Sequence, residues 1–235
     1  MGCYLECSLF NALFIRELKN RFLCEVELGG RVTECYVPSS CRLTNFLELA
    51  GKLVLIKPTN SQNARTQYAL VAIPYKQSYL LLNSSLANRV IEGSIKSRRF
   101  SFLGKRSQIF REYRVENYKA DLFIADSRTI IEIKSIISTS PTASFPTVYS
   151  ERAIEQLKAL KGFLQAGYKT CYVIVSLNPY VKEVVIDKHA SFFLPFAECI
   201  ALGMMVRGFT CRLKNDHIFI DKEFKVAMVK PLHQK

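Results

Sequence analysis

The stretch TIIEIKS, residues 129–135, has the composition of a buried β-strand but carries two opposite charges. Side chains at positions i and i+2 of a strand point to the same face, so Glu132 and Lys134 stand side by side among three isoleucines. Burying charged groups costs free energy unless they pair with each other or bind a metal ion. The pattern therefore has two interpretations: a strand with an ion pair on one face, or the centre of an active site.

An acidic residue on the preceding strand favours the active-site interpretation. Asp121 lies at the start of the predicted strand ADLFIAD, residues 120–126, and a short turn around Ser127 leads into the next strand. Such a hairpin folds Asp121 back beside Glu132. Two adjacent carboxylates raise each other's pKa unless a cation lies between them. Because hard oxygen ligands suit Mg²⁺ or Mn²⁺, we expect Asp121 and Glu132 to bind one of these ions.

The spacing D-x10-E-x-K, which ends at Lys134, is that of the PD-(D/E)xK nucleases. In such a site Lys134 orients or deprotonates the attacking water, or stabilises the negative charge that develops on the phosphate. The motif is short, and Glu-x-Lys also occurs on amphipathic strands that carry an ion pair. Two further features favour the nuclease interpretation here: the strand is otherwise apolar, and the whole chain is basic.

The chain of 235 residues has a formal net charge of +13. Such an excess favours a polyanionic partner, either nucleic acid or an anionic membrane surface. The eight cysteines form no CxxC pair, which indicates free thiols in a reducing cytoplasm. No segment reaches the roughly 18 apolar residues of a membrane helix, and the N-terminus lacks the pattern of a signal peptide. We therefore expect a cytoplasmic protein with DNA, or alternatively RNA, as its partner and no membrane attachment.

The densest positive charge lies between Arg89 and Arg114, where eight basic residues face two acidic ones for a charge of +6. Basic side chains that bind phosphates and aromatic rings that stack on bases are typical of a nucleic-acid track. The alternative is a solvated loop whose aromatic residues face the core. Four aromatic residues are interleaved with the charges: Phe100, Phe102, Phe110 and Tyr113. The candidate nucleic-acid contacts are Arg89, Arg98, Arg99, Lys105 and Arg106 here, and Arg21, Arg31 and Arg42 nearer the N-terminus.

The first third of the chain has the pattern of a small β-barrel. Residues 21–28 and 31–37 alternate apolar and polar residues on either side of Gly29-Gly30, a strong hairpin signal. Two more short strands end at Pro58 and near Pro74. Short antiparallel strands in about 80 residues fit an OB-like barrel, although the pattern alone does not separate it from an SH3-like barrel. We assign residues 1–82 to this domain.

The remaining residues, 83–235, have an α/β pattern. A helix is predicted from about Leu86, with Ser84 or Ser85 as N-cap. Two strands, a loop rich in Ser, Thr and Pro, and a second helix follow, with Ser150 as N-cap of that helix. We expect its buried stripe to consist of Ile154, Leu157, Leu160 and Leu164. The nearly all-apolar strand YKTCYVIVSL, residues 168–177, is typical of the centre of a sheet covered on both faces.

Several blocks of this sequence resemble the sugar fermentation stimulation protein A (SfsA) family. They are KNRFLCEVEL, NSSLANRVI, ADLFIADSRTIIEIKSI and FPTVYSERAIEQLKAL, in that order. The resemblance implies an N-terminal OB-like domain joined to a PD-(D/E)xK nuclease-like α/β domain with a central mixed sheet. It implies Asp121, Glu132 and Lys134 as metal and catalytic positions, and Gln156 on the helix as a further catalytic position. Glu112 resembles an additional acidic metal ligand of the family, or is a surface residue that balances neighbouring arginines.

The chain departs from the family pattern at two places. The loop CYVPSSCR, residues 35–42, has Ser39, Ser40 and Cys41 where Asn-Thr-Gly is usual. Thr147 stands where Asp is usual, and Gln156 where His is usual; a glutamine forms hydrogen bonds but does not act as an acid or base near neutral pH. The resemblance implies a metal-dependent nuclease acting on DNA, or also on RNA. The alternative is a non-catalytic, sequence-non-specific DNA-binding protein that regulates sugar fermentation or maltose metabolism.

Overall fold

A computed structural model of the chain describes residues 2–4, 8–39, 42–45, 47–59 and 64–228, with only the backbone at residues 3 and 4. This part of the chain contains fifteen strands and three α-helices. The barrel-side strands are β2 (Phe10–Glu17), β3 (Leu23–Leu28), β4 (Arg31–Tyr36), β5 (Leu53–Pro58), β6 (Tyr68–Tyr75) and β7 (Ser78–Leu81). The other strands are β1 (Gly2–Tyr4), β8 (Ile109–Val115), β9 (Tyr118–Ile124), β10 (Thr129–Ile136), β11 (Thr142–Phe145), β12 (Lys169–Ser176), β13 (Glu183–Ile186), β14 (Met205–Lys214) and β15 (His217–Ala227). The helices are α1 (Leu86–Ser94), α2 (Glu151–Gln165) and α3 (Phe193–Ala201).

Strands β2 to β6 close into a five-stranded barrel. Their order is β4-β3-β2-β5-β6, and a parallel pairing of β6 with β4 completes the ring. Alternating apolar residues such as Phe14, Val26 and Leu70 fill the interior and are fully buried. Closure removes the open edges that a flat sheet of these strands would expose. The expected OB-like architecture of the first domain is confirmed.

The hairpin between β3 and β4 forms where the sequence predicts it. Gly29 and Gly30 both have positive φ angles, 58° and 78°. A two-residue turn of this kind matches the twist of the flanking strands, and glycine adopts it without steric cost. The register that follows pairs Leu28 with Arg31 and Leu23 with Tyr36. The loop after β4 includes Ser40 and Cys41, which lie outside the described residues, so the predicted effect of the altered motif there stays a prediction.

The second domain is built on a mixed sheet with the order β11-β13-β15-β14-β12-β10-β9-β8. Strands β10, β12 and β14 run parallel to one another, whereas β8, β9 and β10 form antiparallel hairpins. Strand β12 lies in the middle, and every residue from Thr170 to Ser176 is buried. The α/β class and the central mixed sheet are therefore confirmed.

Different layers cover the two faces of this sheet. On one face α1 packs between the sheet and the barrel, and a single apolar cluster joins Val71 of β6, Val90 of α1 and Ile131 of β10. On the other face α2 and α3 pack with Leu157, Phe196 and Tyr172 in a second cluster. Ile131 and Ile133 both belong to the first cluster. Because neighbouring residues of a strand point to opposite faces, the side chain of Glu132 points toward the face that α2 covers.

Both predicted helices form, with differences in detail. Ser150 caps α2 as expected, because its hydroxyl oxygen accepts from the backbone N–H of Ala153 at 3.2 Å. The buried stripe of α2 consists of Leu157, Leu160 and Phe163; the predicted Ile154 and Leu164 are only half-buried. Ser85 occupies the N-cap position of α1 without a capping hydrogen bond, and its hydroxyl instead donates to Oδ1 of Asn83 at 2.6 Å.

The expected division at residue 82 stays a prediction, and one strand crosses it. The backbone of β1 pairs with β15 in the sheet of the second domain, with Gly2 opposite Phe219. The N-terminal residues therefore contribute to the sheet that follows the barrel. Within the described residues, no helix is long and apolar enough to cross a membrane.

Candidate active site

The pairing of β9 with β10 ends next to Asp121. The ladder pairs Ile124 with Thr129 and Leu122 with Ile131, and ends there. Beyond that point Oδ2 of Asp121 accepts the backbone N–H of Ile133 at 2.7 Å. A side-chain carboxylate thus takes a hydrogen bond at the place where the two strands separate, and it satisfies a backbone group that would otherwise lose its partner.

Strand β9 also changes its inward face at this residue. Tyr118 and Ala120 belong to the apolar cluster under α2, whereas Leu122 and Ile124 belong to the cluster under α1. Asp121 lies between the two sets and is half-buried. The irregularity places its carboxylate at the border of the two layers instead of inside either one.

Helix α1 contributes a second partner for Asp121. Nδ2 of Asn88 donates to Oδ1 of Asp121 at 2.9 Å. Together with the N–H of Ile133, both oxygens of the carboxylate are hydrogen-bonded and its orientation is fixed. Through this hydrogen bond α1, which packs between the sheet and the barrel, also helps to orient Asp121.

Glu132 lies on β10 with only 1% of its surface exposed. Oε1 accepts from Nζ of Lys134 at 2.6 Å, and Oε2 accepts from the hydroxyl of Tyr118. Burial raises the pKa of Glu132; the ammonium of Lys134 acts against this shift, and the nearby charge of Asp121 adds to it. The predicted same-face arrangement of Glu132 and Lys134 is thus present, in the form of a largely buried ion pair.

Lys134 is held from two sides. Besides Glu132, its ammonium donates to Oε1 of Gln156 at 2.7 Å. Gln156 lies in the second turn of α2, whose start is fixed by the Ser150 cap. The structure therefore gathers Asp121, Glu132, Lys134 and Gln156, the four predicted catalytic positions, around one point of the sheet.

These residues line a cleft of about 460 Å³ that opens between β10, the segment after β11 and the start of α2. Two further cations, Lys119 and Arg152, also line it. Thr147, which replaces the usual Asp, lies in the wall of the same cleft. A cleft with three carboxylates, three cations and an amide provides groups that can contact both a metal ion and a phosphate.

Glu112 also lines the cleft, where it is paired with basic residues. Its carboxylate accepts from Nζ of Lys119 at 2.6 Å and lies 3.9 Å from a guanidinium nitrogen of Arg111, and Lys119 lowers its pKa. In the part of the chain that the structure describes, no group of three or more Asp, Glu, His or Cys side chains is arranged to hold a metal ion. The set of Asp121, Glu132 and Glu112 predicted as ligands is therefore not gathered into one cluster.

The residues present still fit a divalent cation with Asp121 and Glu132 as its protein ligands. Both supply hard oxygen donors to the same cleft, the chemistry that Mg²⁺ and Mn²⁺ prefer. The cost of keeping Glu132 ionised in a buried position would fall if a cation approached. Mg²⁺ commonly retains several waters and takes only one or two carboxylates from a protein, so a third carboxylate is not required.

The predicted nucleic-acid contacts lie outside the lining of this cleft. Several are committed to hydrogen bonds within the protein. Arg42 donates to the carbonyls of Leu18 and Lys19, at 3.1 and 2.7 Å. Arg106 donates to the carbonyl of Ile95 at 2.9 Å and to two further carbonyls in the same loop. Both side chains therefore have a structural role in holding loops.

The other predicted contacts are distributed over the surface. Arg99 donates to the carbonyl of Asp221 at 3.1 Å, and Lys105 lies 3.7 Å from a carboxylate oxygen of Asp126. The guanidinium of Arg21 lies 4.7 Å from the ring centre of Phe22. The remaining three are Arg31 and Arg98, which are exposed, and Arg89, which is half-buried on α1.

Sequence reasoning missed four residues of the site: Asn88, Tyr118, Lys119 and Arg152. The sequence contains signals for three of them. Arg152 precedes Gln156 by one helical turn, and Lys119 precedes Asp121 by two positions on a strand. A tyrosine in a buried strand usually finds a partner for its hydroxyl. Asn88 reaches Asp121 across 33 residues of sequence, a contact that no local pattern indicates.

Comparisons with known proteins agree with this architecture. Residues 85–217 match the family model described as the sugar fermentation stimulation protein RE domain, and residues 17–82 match the SfsA N-terminal OB domain. This chain belongs to the SfsA family. The predicted resemblance is confirmed, and the two matched SfsA segments correspond to the mixed-sheet domain and the barrel.

Relatives within the SfsA family match nearly the full length of the chain. A sugar fermentation stimulation protein homolog of Thermosipho melanesiensis is 26% identical over 92% of this chain and 93% of its own length. A homolog of Clostridium kluyveri is 25% identical over 94% of this chain and 98% of its own length. The structure of Pyrococcus furiosus SfsA in complex with Ca²⁺ superposes with a TM-score of 0.83. That likeness covers 97% of this chain and all of the other at 20% identity, and it supports the SfsA fold.

Proposed function

We propose that this protein is a metal-dependent nuclease that hydrolyses phosphodiester bonds in DNA or RNA. The observation that carries the proposal is the joint placement of Asp121, Glu132, Lys134 and Gln156 in one cleft of a basic protein. Burying Glu132 and holding a partly buried Lys134 beside it costs free energy, and a purely structural strand gains nothing from these two charges. A catalytic site is a reason to retain both groups.

Asp121 and Glu132 would hold the divalent cation, and Mg²⁺ or Mn²⁺ is the expected ion. When bound, such an ion supplies Lewis-acid chemistry that polarises a phosphate oxygen and lowers the pKa of a water molecule. The relative from Pyrococcus furiosus is described in complex with Ca²⁺, another cation that takes oxygen ligands. That description supports a divalent cation for this family member as well.

Lys134 has the role of stabilising charge at the scissile phosphate. Its ammonium points into the cleft while Glu132 and Gln156 hold it by hydrogen bonds of 2.6 and 2.7 Å. A fixed positive charge at this place lowers the energy of the transition state, in which the phosphate carries more negative charge, without reorganising during the reaction. Gln156 acts by positioning Lys134, since an amide does not exchange protons near neutral pH.

Lys119 and Arg152 would contact the phosphates that flank the cleaved bond. Both line the cleft, and Lys119 is also paired with Glu112 at 2.6 Å. Arg152 lies in the first turn of α2 and Lys119 on β9, so the two cations come to the cleft from different elements. The remaining basic surface would hold the nucleic acid more loosely through long-range attraction.

The test is a cleavage assay on single- and double-stranded DNA and RNA with Mg²⁺, with Mn²⁺ and with EDTA. We expect cleavage with one or both metals, none with EDTA, and none for Asp121→Ala. Binding of the same substrates is measured in EDTA in parallel. If the wild type binds nucleic acid but cuts none of these substrates with either metal, the non-catalytic DNA-binding alternative replaces the nuclease.

A further inference from the structure

The four aromatic residues of the basic segment separate into two groups in the structure. Phe100 is fully buried and packs on Phe209 with ring centres 5.1 Å apart. Phe102 is half-buried, and the guanidinium of Arg207 lies 4.7 Å from its ring centre. By contrast, Phe110 and Tyr113 on β8 are 42% and 41% exposed. Two of the four rings are therefore structural, and two are presented to solvent.

The exposed rings are held in a stack of three. Tyr113 lies parallel to Phe123, with ring centres 5.1 Å apart and planes 8° apart. Phe110 lies 5.1 Å from Tyr113, with planes at 34°. Phe123 is 8% exposed and belongs to the apolar cluster under α2, so it anchors the stack to the core. Tyr113 is thus the middle ring of the stack and Phe110 its outer end, and both are fixed in place while about two fifths of each residue is exposed.

Three basic side chains flank this stack, two of them paired with Glu112, and the stack adjoins the cleft. Arg111 and Arg114 are exposed on the same strand, and Lys119 of β9 is the register partner of Arg114. Lys119 also lines the cleft, as does Glu112, which lies between Phe110 and Tyr113 in sequence. Strand β8 therefore carries the aromatic stack and, through Glu112 and its partner Lys119, also reaches the edge of the cleft.

We propose that Phe110 and Tyr113 form a stacking platform for unpaired bases, which makes single-stranded nucleic acid the preferred substrate class. The inference rests on the proposed nuclease function and deepens it. In a duplex the faces of the bases are covered by their neighbours, whereas unpaired bases stack on aromatic side chains irrespective of sequence. Arg111, Arg114 and Lys119 contact the phosphates of the same strand and direct it toward Asp121 and Glu132.

The experiment compares the binding of a labelled single-stranded DNA and its blunt duplex by fluorescence anisotropy in EDTA, so that no cleavage occurs. Stacking contributes about 1–3 kcal/mol per base, so Phe110→Ala and Tyr113→Ala should each weaken single-strand binding by roughly 5- to 150-fold. Duplex binding should be unchanged. Phe110→Tyr and Tyr113→Phe keep the rings and should bind as the wild type does. Tyr36→Ala on the barrel, 40% exposed, is the control for losing a surface ring.

Three results would each overturn the platform. The wild type does not bind single strands, or the alanine variants lose single-strand and duplex affinity equally. The third is that the alanine variants keep the single-strand affinity of the wild type. Thermal melting checks that the variants are folded. The salt dependence separates the two kinds of contact, because Arg114→Ala should reduce the log–log slope whereas Tyr113→Ala should preserve it. Cleavage is read separately: a protein that cuts nothing but still needs both rings for single strands keeps the platform and loses the nuclease.

Discussion

Tyr118 donates its hydroxyl to Oε2 of Glu132, while Tyr172, the register partner of Glu132 on β12, has a buried hydroxyl without a described partner. Two tyrosines thus flank one buried carboxylate, and only Tyr118 donates a hydrogen bond to it. Burial and the charge of Glu132 both raise the pKa of Tyr118 and of Tyr172, so both phenols stay protonated. The hydrogen bond fixes Oε2 and leaves Oε1 to Lys134.

This pair of tyrosines gives a matched test. Tyr118→Phe removes a hydrogen bond to a charged group and should lower the cleavage rate about tenfold or more, because such bonds contribute roughly 1.5–3 kcal/mol. Tyr172→Phe removes an unpaired buried hydroxyl and should leave stability unchanged or increase it. Denaturant unfolding and single-turnover cleavage are measured on both variants. If Tyr172→Phe loses as much activity as Tyr118→Phe, Tyr118 has no special positioning role.

Divalent ions should stabilise the wild type against heat. A ligand at 100 times its dissociation constant stabilises the native state by about 2.7 kcal/mol if it does not bind the unfolded chain. Asp121→Asn and Glu132→Gln should reduce the Tm increase produced by Mg²⁺, Mn²⁺ or Ca²⁺. Glu112→Gln should retain it, because Glu112 is paired with Lys119. A loss of the Tm increase in Glu112→Gln would instead place this residue among the ligands.

Gln156 should influence the reaction through Lys134. Its Oε1 accepts from the lysine ammonium, so Gln156→Ala frees that group to move and should reduce the cleavage rate about tenfold, the equivalent of one such hydrogen bond. Nucleic-acid affinity should be preserved. Glu155→Ala is the matched control, since Glu155 is adjacent on α2 but pairs with Lys158 at the surface. Equal effects of the two substitutions would show that any change at this turn of the helix is harmful.

Asp126 should make stability depend on pH in the acid range. The backbone N–H groups of Gln108 and Ser107 donate to it at 2.7 Å, and its pKa is lowered, with the bond from Gln108 as the largest cause. A lowered folded-state pKa gives stability that is present above the unfolded-state pKa and is lost as pH falls through the folded value. Asp126→Asn should therefore lower the Tm at neutral pH.

The same substitution should make little difference well below about pH 4, the ordinary range for an aspartate. Melting curves from neutral to acid pH on wild type and Asp126→Asn measure this. Asp216→Asn, in the exposed turn between β14 and β15, is the control. If the Tm difference between wild type and Asp126→Asn is as large in acid as at neutral pH, the ionised carboxylate does not have the stabilising role assigned to it.

The features that the sequence predicts well are those with local causes. The β3–β4 hairpin follows from alternation around Gly29-Gly30, and the start of α2 follows from Ser150 as its N-cap. The shared face of Glu132 and Lys134 follows from strand periodicity alone. In each case the physical rule acts over a few residues, so a window of the chain contains all the information.

The features that it does not predict depend on distant parts of the chain. The alternation of β9 breaks at Asp121: Ala120 and then Phe123 face the cluster under α2, whereas Leu122 and Ile124 face the cluster under α1. The pairing of β1 with β15 joins residues more than 200 positions apart. The long strand β15 has an irregular burial pattern because its neighbours change from β1 and β14 to β13 along its length. None of these can be read from local periodicity.

The most direct measurement is single-turnover cleavage by Lys134→Ala beside the wild type, with substrate affinity measured in EDTA for both. Losing a preorganised charge at the phosphate should slow cleavage by about 10²- to 10³-fold, while affinity stays close to that of the wild type. Lys161→Ala, which removes a lysine paired with Glu198 away from the cleft, should cleave normally. Cleavage by Lys134→Ala at the wild-type rate would contradict the assignment of this cleft as the site of phosphodiester hydrolysis.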